Sequence, residues 1–369
     1  MQKILLYIGA LALLLTSCHQ PSVVSVSPNE ITLLPSEDIL PISSFAESVD
    51  YVELKLDQVG ISLGEVEAVK QINDDWIVQH RMSGRSSFIR LNRKGDFITE
   101  LANSKMKQIV APSDILDYED GYAILAENGV HLVSKEGKYI RKLASISQLP
   151  GSKFLVRDGH FYVLNEKFED QLLVEISESS RGKNKADQLL SQVQRTMYTN
   201  TQNYAKTTTY FSVLSDSIYR FSAKQNGAFT KLVADGIPTF AELVRKMKGM
   251  EEKEALKYMR ETNHVMVRKY LENSRFIYLT YWFGSKSSTL VMDKASGILH
   301  YFGHGVNDID GGIWERPLFL TSRNELVIPL TAGRISGHTI TNKKERNFQR
   351  LQDKIAASGN PVLMLCKLK

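Results

Sequence analysis

Two stretches of this chain repeat one another at a fixed distance. Arg93–Leu101 (RKGDFITEL) aligns with Lys135–Leu143 (KEGKYIRKL), so that Gly95 and Gly137, Phe97 and Tyr139, and Leu101 and Leu143 are each 42 residues apart. A period of roughly 40–45 residues fits four short strands, and such a sheet must stack on its neighbours to bury its faces. The second copy shows the punctuation. Asp114–Tyr118, Tyr122–Ala126 and Val130–Ser134 are strand-length apolar runs, separated by Glu119-Asp120-Gly121, Glu127-Asn128-Gly129 and then Lys135-Glu136-Gly137. Each turn ends in glycine, as hairpin turns with a positive φ require.

Fainter units follow. They comprise Phe154–Arg157, His160–Asn165 and Leu172–Ile176; Tyr210–Val213, Ser217–Phe221 and Phe229–Val233; Arg275–Trp282, Thr289–Met292 and Ile298–Phe302; and Pro317–Leu320 with Glu325–Leu330. Together they predict an all-β body over residues 30–369, a six-bladed β-propeller with two helical insertions. The strand-like end Pro361–Leu368 is expected to share a blade with an early strand such as Val52–Leu56, closing the ring and removing free edges. The first helix is expected after Pro238, where Thr239-Phe240-Ala241-Glu242 is a capping-box sequence and Phe240, Leu243, Val244 and Met247 form one stripe; Gly249 breaks it before Ala255–Met259. The second carries Phe348, Leu351 and Ile355 and stops at Gly359 and Pro361.

The N-terminus has a different character. Lys3 precedes the apolar run Ile4–Leu15, and Leu15-Thr16-Ser17-Cys18 closes it. These 12 apolar residues are too few to cross a bilayer, and the layout is that of an export signal over residues 1–17. The tetrad resembles the lipobox of bacterial lipoproteins, which implies cleavage before Cys18, acylation of that cysteine and a tether over residues 18–29. Cys18 and Cys366 are the only cysteines, so a lipidated chain has no internal disulfide to form. Without Lys3 the charge is 45 basic against 41 acidic side chains, a near-balance that argues against a nucleic-acid surface.

Leu290-Val291-Met292-Asp293-Lys294-Ala295-Ser296-Gly297, Asn307-Asp308-Ile309-Asp310-Gly311-Gly312, Pro317 and Asn360-Pro361-Val362-Leu363-Met364, taken with the repeat pair, resemble the six-bladed β-propeller lipoproteins of Bacteroidetes. The resemblance covers nearly all of the chain after Cys18. It implies a fold and an envelope compartment, with the outer membrane as the expected location, and brings no catalytic residues. The segment after Cys18 lacks an acidic cluster of the kind associated with surface export in this group, which favours a periplasm-facing anchor.

No residue set stands out as catalytic: a Gly-x-Ser-x-Gly elbow, a phosphate loop and a dinucleotide fingerprint are absent. His300 and His304 share a strand face but stand too far apart for one metal, and Cys366 reads as a buried apolar residue. The candidates are Asn307, Asp308 and Asp310, whose alternating oxygens could hold calcium or contact a ligand, with Trp314 and Arg316 suited to a glycan or peptide. The same loop reads first as an Asx-rich turn that caps its own backbone. Function is expected to be non-catalytic: a binding or scaffold module with no fixed cofactor, whose partners are the membrane, through lipid on Cys18, and an envelope protein or glycan. The alternative is a lyase- or hydrolase-type enzyme working on a glycan or peptide in the central funnel.

Overall fold

The computed structural model describes residues 29–102, 106–146, 153–157, 159–164, 173–176, 200–204, 207–211, 216–221, 226–340 and 347–369. The expected signal, Cys18 and all of the tether but residue 29 lie outside the described residues.

Among the described residues the strands form six sheets built on antiparallel neighbours, plus one short parallel pair. Sheet 1 runs Glu65–Ile72, Asp75–Met82, Arg85–Leu91 and Phe97–Ala102 in spatial order. Sheet 2 repeats that order with Asp114–Tyr118, Gly121–Ala126, Gly129–Ser134 and Tyr139–Ser145. Sheet 3 holds Phe154–Arg157, His160–Leu164 and Leu173–Glu175. In sheet 4, Asn200–Tyr204, Thr207–Phe211, Ser217–Phe221 and Asn226–Val233 are joined at the outer edge by Glu30–Thr32, which runs parallel. Sheet 5 is Val265–Glu272, Phe276–Phe283, Lys286–Asp293 and Leu299–Phe302. Sheet 6 takes Phe319–Leu320, Glu325–Leu330 and Val362–Leu368 from the end of the chain and its fourth strand, Ala46–Glu53, from the beginning.

Side-chain alternation explains how these sheets stack. Trp76, Val78, Ile89 and Leu91 of sheet 1 pack against Val327, Leu363 and Leu365 of sheet 6. Ile77 and Phe88, each one step along from those, pack on Ile115, Tyr122, Ile124 and Val133 of sheet 2. Both faces are therefore apolar, and each meets a different neighbour. Sheet 2 continues onto sheet 3 through Leu125, Val130, Phe154 and Phe161. Sheet 4 meets sheet 5 through Phe211, Ile218, Leu279 and Tyr281, and sheet 5 meets sheet 6 through Tyr278, Val291, Ile328 and Met364. The stacking order is 4-5-6-1-2-3. The first strands of sheets 4, 5, 6 and 1 also touch in turn, so they run together along a common axis. This is a propeller-like, all-β architecture.

The repeat has a steric cause. Gly95 and Gly137 have φ of 81° and 79° and sit in the turn before the outer strand of their sheets. A Cβ on Gly95 would stand 1.9 Å from the Glu53 carbonyl oxygen of sheet 6, and one on Gly137 would stand 2.2 Å from the Glu100 oxygen of sheet 1. Each turn thus nests against the outer strand of the preceding sheet, where any side chain would collide with backbone.

Residues 30–53 form a strap across three sheets. Glu30–Thr32 lies on sheet 4, Ile39–Pro41 pairs in parallel with His304–Val306 beyond sheet 5, and Ala46–Glu53 completes sheet 6. Tyr281 and Tyr301 of sheet 5 fasten it by donating to the Leu34 and Thr32 carbonyls at 2.6 and 2.8 Å. The closing pair expected from sequence is present, with its early partner at Ala46–Glu53 and not at Val52–Leu56.

Helices α1 (Phe240–Met247) and α2 (Glu252–Glu261) lie between sheets 4 and 5. In the capping box of α1, Thr239 Oγ1 accepts from Glu242 N–H at 3.2 Å and Glu242 Oε2 accepts from Thr239 N–H at 2.9 Å. Helices α3 (Ala332–Ser336) and α4 (Asn347–Ser358) lie within sheet 6, between Glu325–Leu330 and Val362–Leu368. Phe348, Leu351 and Ile355 of α4 are buried in the core between sheets 5 and 6. Among the described residues no helix is long and apolar enough to cross a membrane.

Candidate functional site

The Asn307–Gly312 loop follows the strand His304–Val306 and passes over the end of sheet 6. Asn307 and Asp310 are buried, each 2% exposed, whereas Asp308 is exposed. Asp310 Oδ2 accepts from the Tyr51 hydroxyl at 2.8 Å, and its Oδ1 accepts from Asn307 Nδ2 at 2.7 Å and from Gly312 N–H at 3.0 Å. The shell around this carboxylate therefore presents hydrogens, the arrangement that holds an anion in place. Burial, together with the Asp310 charge, pushes the Tyr51 hydroxyl far up, so it stays a donor. Gly312 has no room for a Cβ, which would stand 2.5 Å from the Phe348 ring and 2.8 Å from the Tyr51 hydroxyl. Asp308 faces the strap, where it accepts from Ser43 N–H at 3.0 Å and Ser43 Oγ at 2.5 Å. The loop thus joins the strap, sheet 6 and α4.

Trp314 is half-buried, with its ring 5.9 Å from that of Phe45 and its indole nitrogen 2.6 Å from where a Gly305 Cβ would be. Arg316 is exposed. With Glu315 it borders a cleft of about 600 Å³ between the ends of sheets 1 and 6. The other walls are residues 57–66, the segment 329–332 leading into α3, and residues 358–362 after α4. Two of the cleft's carboxylates are already engaged: Asp57 accepts from Asn360 Nδ2 at 2.6 Å, and Glu315 pairs with Arg334 at 2.6 Å. The five candidate residues therefore divide. Asn307, Asp308, Asp310 and Trp314 hold structure together locally, and Arg316 lines the cleft.

A second group of charges, absent from the sequence reading, lies along the first strands of the sheets. Asp114, 1% exposed at the start of sheet 2, accepts from Lys70 Nζ of sheet 1 at 2.5 Å and from Phe154 N–H of sheet 3 at 3.2 Å. Lys153, just ahead of sheet 3, stands 3.7 Å from the same carboxylate. Burial pushes the Asp114 carboxyl up, but the Lys70 and Lys153 charges outweigh it and hold the group below its ordinary value. Lys269, within Val265–Glu272 of sheet 5, is half-buried, and desolvation followed by repulsion from Arg316 and Lys153 brings it down to about 7.

The Asp-Lys pair of the 290–297 segment is structural. Arg275 donates to Asp293 at 3.0 Å, and Lys294 is buried against Glu272 at 2.8 Å, which also receives Arg220 of sheet 4 at 2.8 Å. Burial pushes the Cys366 thiol well up, as suits an apolar core position. His300 lies 5.9 Å from the Phe45 ring and His304 is exposed. Among the described residues no three His, Cys, Asp or Glu side chains gather in a way that could hold a metal ion.

These sheets and their stacking define the class, an all-β protein of propeller-like architecture. No protein-family model matches the chain, and no curated protein matches it in sequence. Among solved structures it is similar to a protein of Bacteroides fragilis NCTC 9343 described as exported, at 13% identity and a TM-score of 0.68, covering 92% of this chain and 99% of that one. At that identity the likeness is one of fold. Weaker likenesses are to a catalytically inactive virginiamycin B lyase from Staphylococcus aureus with quinupristin (10% identity, TM-score 0.40, covering 86% and 99%) and to the extracellular domain of a one-component system from B. thetaiotaomicron (8%, 0.37, covering 76% and 32%).

Proposed function

We propose that this chain is a six-bladed β-propeller lipoprotein of the cell envelope, a binding or scaffold module held to the outer membrane through lipid on Cys18 and facing the periplasm. The six sheets are its blades, and helices α1 to α4 are insertions on the face where the first strands begin. The lipobox-like Leu15–Cys18 supports the anchor, and the fold shared with an exported Bacteroides protein fits the compartment.

The observation that carries the binding reading is the cleft between sheets 1 and 6. It is walled by loops fixed on rigid sheets, with Arg316 at its edge, a setting that recognises a glycan, peptide or protein surface without chemistry. The reading needs no cofactor, and calcium has no part in it. Its test uses full-length protein in detergent on glycan and peptide panels, beside Ser62→Trp, which fills the cleft. A retained ligand that the filled variant loses supports the reading, and turnover of that ligand would convert it to an enzyme. Cys18→Ala should abolish lipid labelling and membrane fractionation; unchanged labelling would rule out the anchor.

A further inference from the structure

The cleft between sheets 1 and 6 is lined by aliphatic side chains. Ile61, Leu63, Val66, Leu318, Pro329 and Pro361 border it, and all six are half-buried, so apolar surface stays open to a ligand. Among the described residues that line it none is aromatic. A sugar ring is held through its C–H face stacked on an aromatic ring, and this cleft offers no such platform. Hydroxyls are interspersed with the aliphatic groups, at Ser62, Thr331 and Ser358. Thr331 and Ser358 each accept one backbone N–H, from Arg334 and Asn360, and each keeps a hydrogen to donate. A bare acyl chain would leave these polar groups without partners, whereas an extended peptide brings an amide with every residue.

The charges along the cleft are one-sided. Its wall at residues 57–66 carries two carboxylates, Asp57 and Glu65, and no lysine or arginine. Asp57 accepts from the neutral Asn360 amide, and among the described residues neither carboxylate forms an ion pair. Arg81, opposite Glu65 in the ladder, is taken by Glu67. Elsewhere on the rim Glu315 is paired with Arg334, and Arg316 has interactions of its own. This acidic wall belongs to a chain whose net charge is +5.

We propose that the cleft takes an extended peptide segment, in which an aliphatic residue packs between sheets 1 and 6 and an adjacent lysine or arginine meets Asp57 and Glu65. The proposal rests on the cleft reading and names its ligand class. The aliphatic side chain supplies the affinity by leaving water for the apolar lining. A cation beside exposed carboxylates gains less and is screened by salt, so it selects among peptides more than it holds them. A volume of about 600 Å³ suits a short segment of chain.

Calorimetric titration of full-length protein in detergent tests it. The probes are the blocked tetrapeptides Ala-Leu-Lys-Leu, Ala-Leu-Gln-Leu and Ala-Leu-Glu-Leu, beside maltohexaose and chitohexaose. The Lys peptide should bind saturably, about fivefold tighter than the Gln peptide and at least about tenfold tighter than the Glu peptide, and added salt should narrow both gaps. Ser62→Trp should abolish the binding, which also separates it from partition into detergent. Ile61→Arg, which places a cation in the aliphatic lining, serves if Ser62→Trp does not fold. Glu65 is exposed, so Glu65→Gln should melt within about 1 °C of the parent, weaken the Lys peptide by several fold and leave the Gln peptide unchanged. Equal affinity for the Lys and Glu peptides, or a hexaose that binds the parent but not Ser62→Trp, overturns the peptide proposal and leaves the cleft as a binding site. Peptide binding that survives in both filled variants, or no saturable binding of any probe at about 5 mM, overturns the proposal together with the cleft reading.

Discussion

Replacing Asp310 by alanine tests whether the Asn307–Gly312 loop is a clamp. The carboxylate, 2% exposed, accepts from Tyr51, Asn307 and Gly312 at 2.8, 2.7 and 3.0 Å. Alanine leaves three donors in a buried place, and each orphaned group costs about 1–3 kcal/mol. The sum is offset in part, because removing a buried carboxylate also removes its desolvation cost, and the expected loss is about 3–5 kcal/mol. At about 2 °C per kcal/mol for a chain of this size, the melting temperature should fall by about 6–10 °C. Tyr51→Phe removes one donor along with its need for an acceptor and should cost about 1 kcal/mol. In the double variant the ring at this position has no hydroxyl left to strand, so the combined loss should be smaller than the sum by about 1 kcal/mol. Thermal and urea unfolding of the full chain measure all three. An Asp310→Ala protein that melts within about 1 °C of the parent would refute the clamp, since no rearrangement of one loop re-pairs three buried donors at no cost.

Two further outcomes follow from the same structure. His131 is 1% exposed and burial, then repulsion from Lys142, lowers it to about 4, so its folded value lies below the unfolded 6.5. Its contribution is complete above 6.5 and is lost as pH falls toward 4. About 2 kcal/mol should be gone by about pH 5, and His131→Leu should flatten that part of the melting-temperature profile; an unchanged slope would exclude His131 as its source. Deleting Pro361–Lys369 removes the strand that pairs with both Glu325–Leu330 and Ala46–Glu53, and exposes two sheet edges along with the core that Val362, Leu363, Met364 and Cys366 had covered. The shortened chain should aggregate or fail to melt cooperatively, as followed by light scattering and circular dichroism, and a monomer with the parent's melting temperature would contradict the pairing.

Much of the fold was legible because its packing rule leaves a mark in sequence. Gly95 and Gly137 recur at 42 residues since each turn abuts the preceding sheet's outer strand, and that contact excludes side chains at one point per unit. Where the contact relaxes, the mark fades. Gly297, in the corresponding turn of sheet 5, has nothing within 4 Å of its Cβ position. Val265–Glu272 escaped notice because the bulge at Arg268 breaks the two-residue alternation, and Asn200–Tyr204 because its residues are nearly all polar. The closing strand was displaced toward Val52–Leu56 because Leu54 and Leu56 keep alternating into the core after the ladder has ended at Glu53. At the candidate loop the sequence showed oxygen-bearing residues but not which way they face. Tyr51, which engages Asp310, is 259 residues away along the chain. Lys70 lies in sheet 1 and Lys153 just ahead of sheet 3, and only the stacking order brings both to Asp114 of sheet 2.

The pairing of Ala46–Glu53 with Val362–Leu368 also sets an order of events in folding. A chain that emerges N-terminus first exposes its early strand long before its partner exists. Bringing residues about 310 apart together costs about 5 kcal/mol in loop-closure entropy if the intervening chain is disordered, and far less once the other sheets have formed. Sheet 6 is therefore completed only after Val362–Leu368 has been made. Until then Ala46–Glu53 is an unpaired edge, open to a chaperone or to another unfinished copy. A chain truncated or stalled before Val362 would stay in that state, with Ala46–Glu53 still lacking this partner strand.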